Sequence, residues 1–195
     1  MQSFLKLALL ALAGCRAPVV EAPAVHGRRP AVVPQYTQGG ELLRPVGYES
    51  WVFAGASLGL SYSEGLRHEG PGEFHNVFLE PTAFEQYQRT GHFPDKTMLV
   101  LALHEPKQRE SIQKQGYFEG NLIALEAAVK DQERFKETWA YFDFGKEGAS
   151  ALAKPPEACH SCHAQHGADD NVFVQFYPPL RAVWEARREA HAEKR

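Results

Sequence analysis

The chain has 195 residues, 44% of them hydrophobic and 23% charged, with a formal net charge of −3. That length fits one domain, or one domain with a tail, and 12 Phe, 7 Tyr and 3 Trp exclude a wholly disordered chain. The mild acidity excludes a protein built to coat nucleic acid, and no apolar run approaches the ~18 residues that span a bilayer.

The first element in chain order is an export signal. Lys6 precedes the apolar run Leu7-Ala8-Leu9-Leu10-Ala11-Leu12, which closes on Ala13, Gly14 and Cys15. This is the layout of a secretory signal peptide over residues 1–14. Leu12-Ala13-Gly14-Cys15 is similar to the bacterial lipobox, in which the Cys becomes the lipidated first residue. The expected location is therefore the periplasmic side of the cell envelope, tied to the membrane through lipid at Cys15. Residues 15–40 hold Pro18, Pro23, Pro30 and Pro34 with little apolar periodicity, and read as an extended, solvated tether. Residues 41–195 are then the folded domain.

Within that domain, Glu49–Phe53 reads as a helical turn carrying Trp51 inward. Glu73–Leu79, rich in Phe and Val, reads as a strand. Pro81–Arg89 reads as a short helix, with Pro at its first position and Gly91 past its end. Met98–His104 is continuously apolar and reads as a buried strand. Gly116–Val129 fits strand or helix alike, since Leu122, Ile123 and Leu125 match neither period alone. Thr138–Phe144 is strand-like. Leu180–Arg195 is helical by composition, with Glu185, Glu189 and Glu193 on a solvated face. The class is α+β: a mainly antiparallel sheet from the middle segments, flanked by helices.

Two of the three Cys lie in Cys159-His160-Ser161-Cys162-His163, just after Pro155 and Pro156. This is C-x-x-C-H, the attachment motif of c-type haem. Each thiol adds to one vinyl group of the porphyrin as a thioether, and His163 is held below the iron as its axial ligand. A redox dithiol needs a thioredoxin-like βαβ context, which is not visible. A tetrahedral zinc site built from this one short segment is strained and lacks a second ligand knuckle. The reading is one covalent haem c per chain.

Several segments in order resemble the cytochrome P460 family, which includes the cytochromes c′-beta. The resemblance spans roughly Glu41 to Arg181. It runs through Gly40-Glu41-Leu42-Leu43, Tyr48 and Trp51, then Val77-Phe78-Leu79-Glu80-Pro81 and Arg89-Thr90-Gly91-His92-Phe93. It continues in Gly116-Tyr117-Phe118 and Leu125-Glu126-Ala127-Ala128-Val129-Lys130-Asp131, and ends with the haem motif and Val172-Phe173-Val174-Gln175-Phe176-Tyr177-Pro178. It implies a mainly antiparallel fold, a homodimer, and His as the only protein ligand to iron. The P460 enzymes oxidise hydroxylamine and carry a lysine crosslinked to the haem edge. The cytochromes c′-beta lack the crosslink and bind NO and CO at an apolar distal face.

A gapless match through Thr97–Leu103 puts the crosslinking lysine's position at Leu101, which has no nucleophilic nitrogen. The same match puts a distal arginine of the family at His75. That histidine is a distal hydrogen-bond donor or proton relay, an iron ligand, or an ordinary histidine. Glu126 and Glu157 are candidates for the distal carboxylate of the catalytic members. Residues two apart on a strand share a face, so Lys96, Met98 and His104 have parity opposite to Leu101. Lys107, beyond Pro106, is expected outside the strand. Met98 is therefore core filler rather than a sixth ligand. His160 and His166 are confined near the attachment loop, and His26 and His191 sit in tether and tail. His68, His75, His92 and His104 remain, and His104, which ends a strand before Pro106, is expected to face solvent. Phe74, Phe78, Phe84 and Phe93 are core by default, with one or two available to cap the distal site. The expected function is capture or detoxification of NO at an open iron position that also takes CO. An enzyme acting on hydroxylamine, NO or peroxide is one alternative, and a simple electron carrier with an unknown redox partner is another.

Overall fold

Five consecutive strands pair with their chain neighbours into one antiparallel meander. In the computed structural model, which describes residues 30–61, 70–108 and 114–193, these are β2 (Val52–Leu58), β3 (Phe74–Leu79), β4 (Met98–Lys107), β5 (Phe118–Lys130) and β6 (Trp139–Asp143), in spatial order β2-β3-β4-β5-β6. A second, two-stranded sheet pairs β1 (Leu42–Leu43) with β7 (Ser150–Ala151). The helices are α1 (Pro81–Thr90), α2 (His160–His166) and α3 (Pro178–Ala192). The architecture is α+β, with the sheet antiparallel throughout. The signal segment 1–14, Cys15, His26 and His68 lie outside the described residues.

Strand alternation gives the sheet two different faces. One face carries Met98, Val100, Ala102, Leu125, Ala127, Val129 and Phe142, which pack with Tyr48 and Trp51 into the first core. The other carries Val77, Leu79, Leu99, Trp139 and Tyr141, which pack with Ala83 and Tyr87 of α1 and Leu180 of α3. Register aligns rows across the second face: Gly55, Val77, Leu101, Glu126 and Asp143 form one row, and Leu79, Leu99, Ala128 and Tyr141 the next.

Helix α1 follows its sequence markers. Glu80 at the N-cap is 4% exposed, and its Oε2 accepts the Ala83 N–H at 2.8 Å. Its Oε1 accepts the Val32 N–H at 3.3 Å. Gly91 ends the helix at φ 68 and donates its N–H to Tyr87 O at 2.7 Å. Glu80→Ala should leave the Ala83 N–H unpaired in the interior and destabilise the domain by about 1–3 kcal/mol, read from urea unfolding.

Three elements differ from the sequence reading, and one that it left open is decided. The turn expected over Glu49–Phe53 is a shorter 3-10 turn, Tyr48–Ser50, and β2 follows it at once. Trp51 is nonetheless buried. The ambiguous Gly116–Val129 is strand, because Ala128 pairs with both Leu99 and Tyr141, and pairing on two sides decides what periodicity left open. β4 continues past His104 through Pro106 to Lys107 rather than ending before the proline. Register shifts at Leu103/His104 and His104/Pro106 accommodate it. The end of the tether is docked, not solvated. Pro34 is buried, Tyr36 bridges to Leu42, and the Arg134 guanidinium lies 3.9 Å from the Tyr36 ring centroid. The aromatic area of Tyr36, packed beside Phe135 and Phe142, draws 34–40 onto the domain.

Candidate functional site

The second face of the sheet walls a cavity of about 790 Å³, within the range of sites that engulf a drug-sized ligand or cofactor. Val77, Leu99, Leu101 and Ala128 supply its apolar wall from the sheet, with His75 and Glu126 on the same face. Cys159, His163, Val172 and Phe173 close it from the chain after β7, and Arg181 of α3 lies at its edge.

The attachment motif forms the short helix α2, which has Cys159 at its N-cap and carries Cys162 and His163. Both thiols are free and half-buried. Burial, and then the nearby Glu126 carboxylate, raise the Cys159 thiol above its ordinary pKa. His163 packs between Tyr141 and Phe173, at ring-centroid distances of 4.4 and 4.5 Å. Its Nδ1 lies 3.0 Å from Asn171 O; a carbonyl only accepts, so Nδ1–H donates and the Nε2 lone pair is left for a metal. Burial lowers the His163 pKa, which favours the neutral imidazole that a metal ligand must be. Gln175 holds the end of α2 by donating to His166 O at 2.7 Å.

The sheet contributes the groups assigned to the far side. Leu101 is half-buried between Val77 and Glu126 of the neighbouring strands. His75 lines the cavity with its side chain 11% exposed, 3.8 Å from Glu73 Oε2. Burial lowers its pKa more than Glu73 raises it. Glu126 faces the cavity opposite Asp143. Burial, then Asp143, raises its pKa. Asp143 itself accepts the Gly145 N–H at 2.8 Å and Lys154 Nζ at 3.0 Å, and these bonds hold its carboxyl below the usual range.

Other expected residues lie elsewhere. Glu157 is exposed and does not line the cavity, so the structure separates it from Glu126. Met98 is 2% exposed in the first core, behind the sheet. Lys96 is bonded to Asp131. His104, expected to be solvent-exposed, is half-buried with Nδ1 3.1 Å from Gly120 O, because the register shift at Leu103/His104 changes its course. None of Phe74, Phe78, Phe84 and Phe93 lines the cavity. Phe78 meets Tyr48 and Phe53 on the opposite face, and Phe93 stacks on Tyr87 at 4.2 Å. Phe173 and Phe176 line it instead. Tyr141, Asp143, Lys154 and Arg181 were not anticipated; the alternation of Trp139-Ala-Tyr-Phe-Asp143 carried the signal for Tyr141 and Asp143.

The ionisation of Glu126 gives a signed test. A carboxyl whose folded pKa is raised holds its proton in the folded state over a window above the ordinary Glu value. The contribution of this group to stability is therefore full below the ordinary Glu pKa and is lost as pH rises through that window. Glu126→Gln should match the wild type in acid and exceed it in stability at neutral pH, as followed by urea unfolding across pH.

A domain whose five-stranded sheet walls a cofactor-sized cavity with its apolar face, opposite a short helix bearing thiols and an imidazole, defines a cofactor-binding class. The chain belongs to the cytochrome P460 family: the family model described as Cytochrome P460 matches residues 45–174. No curated protein matches the chain. Membership brings a haem, and the residues fit one. Cys159 and the His163 imidazole line the cavity, Cys162 lies on the same short helix, the walls are apolar, and the buried Tyr141 Oη on the wall has no hydrogen-bond partner. Among the described residues no group of three or more His, Cys, Asp or Glu gathers as a metal cluster.

Proposed function

We propose that the protein is an extracytoplasmic mono-haem c protein that binds NO or CO at an open distal iron site, in the capture or detoxification of NO. Cys159 and Cys162 attach the haem and His163 ligates the iron. His75 serves as a distal hydrogen-bond donor to a bound polar diatomic. Export, lipid anchoring at Cys15 and a homodimer belong to the same reading. The observation that carries it is the row Val77–Leu101–Glu126 facing the cavity that Cys159 and His163 also line. Leucine in the crosslinking position leaves no amine to join the haem edge. An apolar wall there excludes water and favours small neutral ligands over anions, which lose hydration on entry.

A second reading, an oxidoreductase acting on hydroxylamine, NO or peroxide, is favoured by Glu126, a carboxyl of raised pKa on the cavity wall. Such a group keeps its proton to higher pH than a free carboxyl does and can pass it to a bound ligand. The simple electron carrier is disfavoured by Met98, which packs on the opposite face of the sheet.

Spectra of the protein matured with haem c separate the three. The expected result is a ferrous form that binds CO and NO, with no strongly red-shifted Soret band. A low-spin ferrous form that ignores CO would sink the proposal in favour of the carrier. A red-shifted P460-type band would contradict the Leu101 argument. Turnover of hydroxylamine with an added electron acceptor would establish the enzyme.

A further inference from the structure

The segment after α2 is held more firmly than a surface turn requires. Asp169 and Val172 form an isolated antiparallel bridge, with the Val172 N–H donating to Asp169 O at 2.9 Å. The residues between them, Asp170 (φ 49) and Asn171 (φ 60), are both left-handed. This is the two-residue turn that demands positive φ at both central positions, which Asp and Asn tolerate better than other side chains. Gly167 lets the turn close onto α2: a Cβ there would lie 2.7 Å from Asn171 C and 2.9 Å from Val172 N.

Both acids of the turn are clamped. Asp169 Oδ2 accepts from Tyr87 Oη and from Arg187 Nη1, each at 3.0 Å. Asp170 Oδ2 accepts from Lys130 Nζ at 2.7 Å, and its Oδ1 accepts from Trp139 Nε1 at 3.1 Å. Lys130 is 8% exposed, and its Nζ also donates to Phe93 O at 2.8 Å. The clamp on Asp170 thus ties the turn to the ends of β5 and β6. The very next residue supplies the carbonyl that receives His163 Nδ1.

We propose that Asp170, gripped by Lys130 and Trp139, is a positioning residue for His163: it fixes the Asn171 carbonyl and thereby the strength of its bond to Nδ1. The inference rests on the haem reading above. A firm acceptor on Nδ1–H makes Nε2 a stronger donor to a metal, and a displaced one weakens it. Charge-assisted bonds in a part-buried site are short and stiff, which suits them to hold a turn in a strained conformation.

Asp170→Asn keeps the size and removes the charge, and Trp139→Phe deletes one bond to the same carboxylate. The measurements are the iron–histidine stretching frequency of the ferrous holoprotein by resonance Raman and the ferric/ferrous midpoint potential. Both variants should lower the frequency and raise the potential, Asp170→Asn the more strongly. Asp169→Asn is the control: it frees the same turn from α1 and α3 and lowers Tm, but leaves the frequency in place. Unchanged frequency and potential in both variants, with covalent haem intact, overturns the proposal, as does an equal shift in Asp169→Asn. If Asp170→Asn does not fold, Trp139→Phe decides alone. A wild-type chain that acquires no covalent haem overturns the haem reading instead, so the two failures are distinct.

Discussion

Replacing Cys159 and Cys162 together by Ser should abolish all haem that survives acid–acetone extraction. A thioether needs a thiol to add across each vinyl group, and a serine hydroxyl does not do so under the same conditions. His163 remains in the variant, so haem can still be bound, but only by coordination and apolar contact, and the solvent strips it. Both thiols are free and half-buried, Cys159 packs only against the edge of the second core, and Cys→Ser changes side-chain volume little. The fold should therefore persist, and circular dichroism should show the strand content retained. A haem-stained denaturing gel together with the extracted pellet reads the result. Haem kept on the chain after extraction would refute covalent attachment through these residues.

Phe142→Ala should destabilise the domain by about 3–5 kcal/mol, the usual range for truncating a buried aromatic. Phe142 is 1% exposed and projects into the first core, where its ring lies 6.0 Å from Phe135 and 6.5 Å from Tyr36. That loss is a large share of the roughly 5–15 kcal/mol by which a domain is ordinarily stable. Phe176→Ala is the contrast: this residue is 69% exposed and its removal should change stability by under about 0.5 kcal/mol. Urea unfolding of the two variants makes the comparison. A small loss in Phe142→Ala would mean that the first core collapses around the cavity.

The motif residues and the strands with strong patterns were legible in the sequence because each is a local signal. Cys159, Cys162 and His163 are fixed by spacing, and the ends of α1 by Pro81 and Gly91. Strand parity also transferred: Met98 and Leu101 fall on opposite faces, as alternation requires. What stayed hidden depends on contacts distant in sequence. β2 is spelled Val-Phe-Ala-Gly-Ala-Ser-Leu, weak in β-branched residues, and is a strand because β3 pairs with it. The docking of Tyr36 needs Arg134, almost a hundred residues on. Asp170 reads as a polar turn residue until Lys130 and Trp139 are seen to meet it. Glu126 and Glu157 were equivalent as carboxylates; the register of β4 with β5 puts Glu126 on the cavity face, and Glu157 lies exposed outside the cavity.

The register shifts at Leu103/His104 and His104/Pro106 divide the β4–β5 hairpin into two zones. Below them, inserting one residue would swap the two faces of the sheet, exchanging Met98 and Val100 for Leu99 and Leu101 on the cavity wall. Beyond them, the phase of alternation is already reset, so a change in length at the tip is not transmitted to the wall. The bulges thus act as an insulator between the outer part of the hairpin and the cavity wall. Loop grafts for engineering this domain belong on the far side of His104.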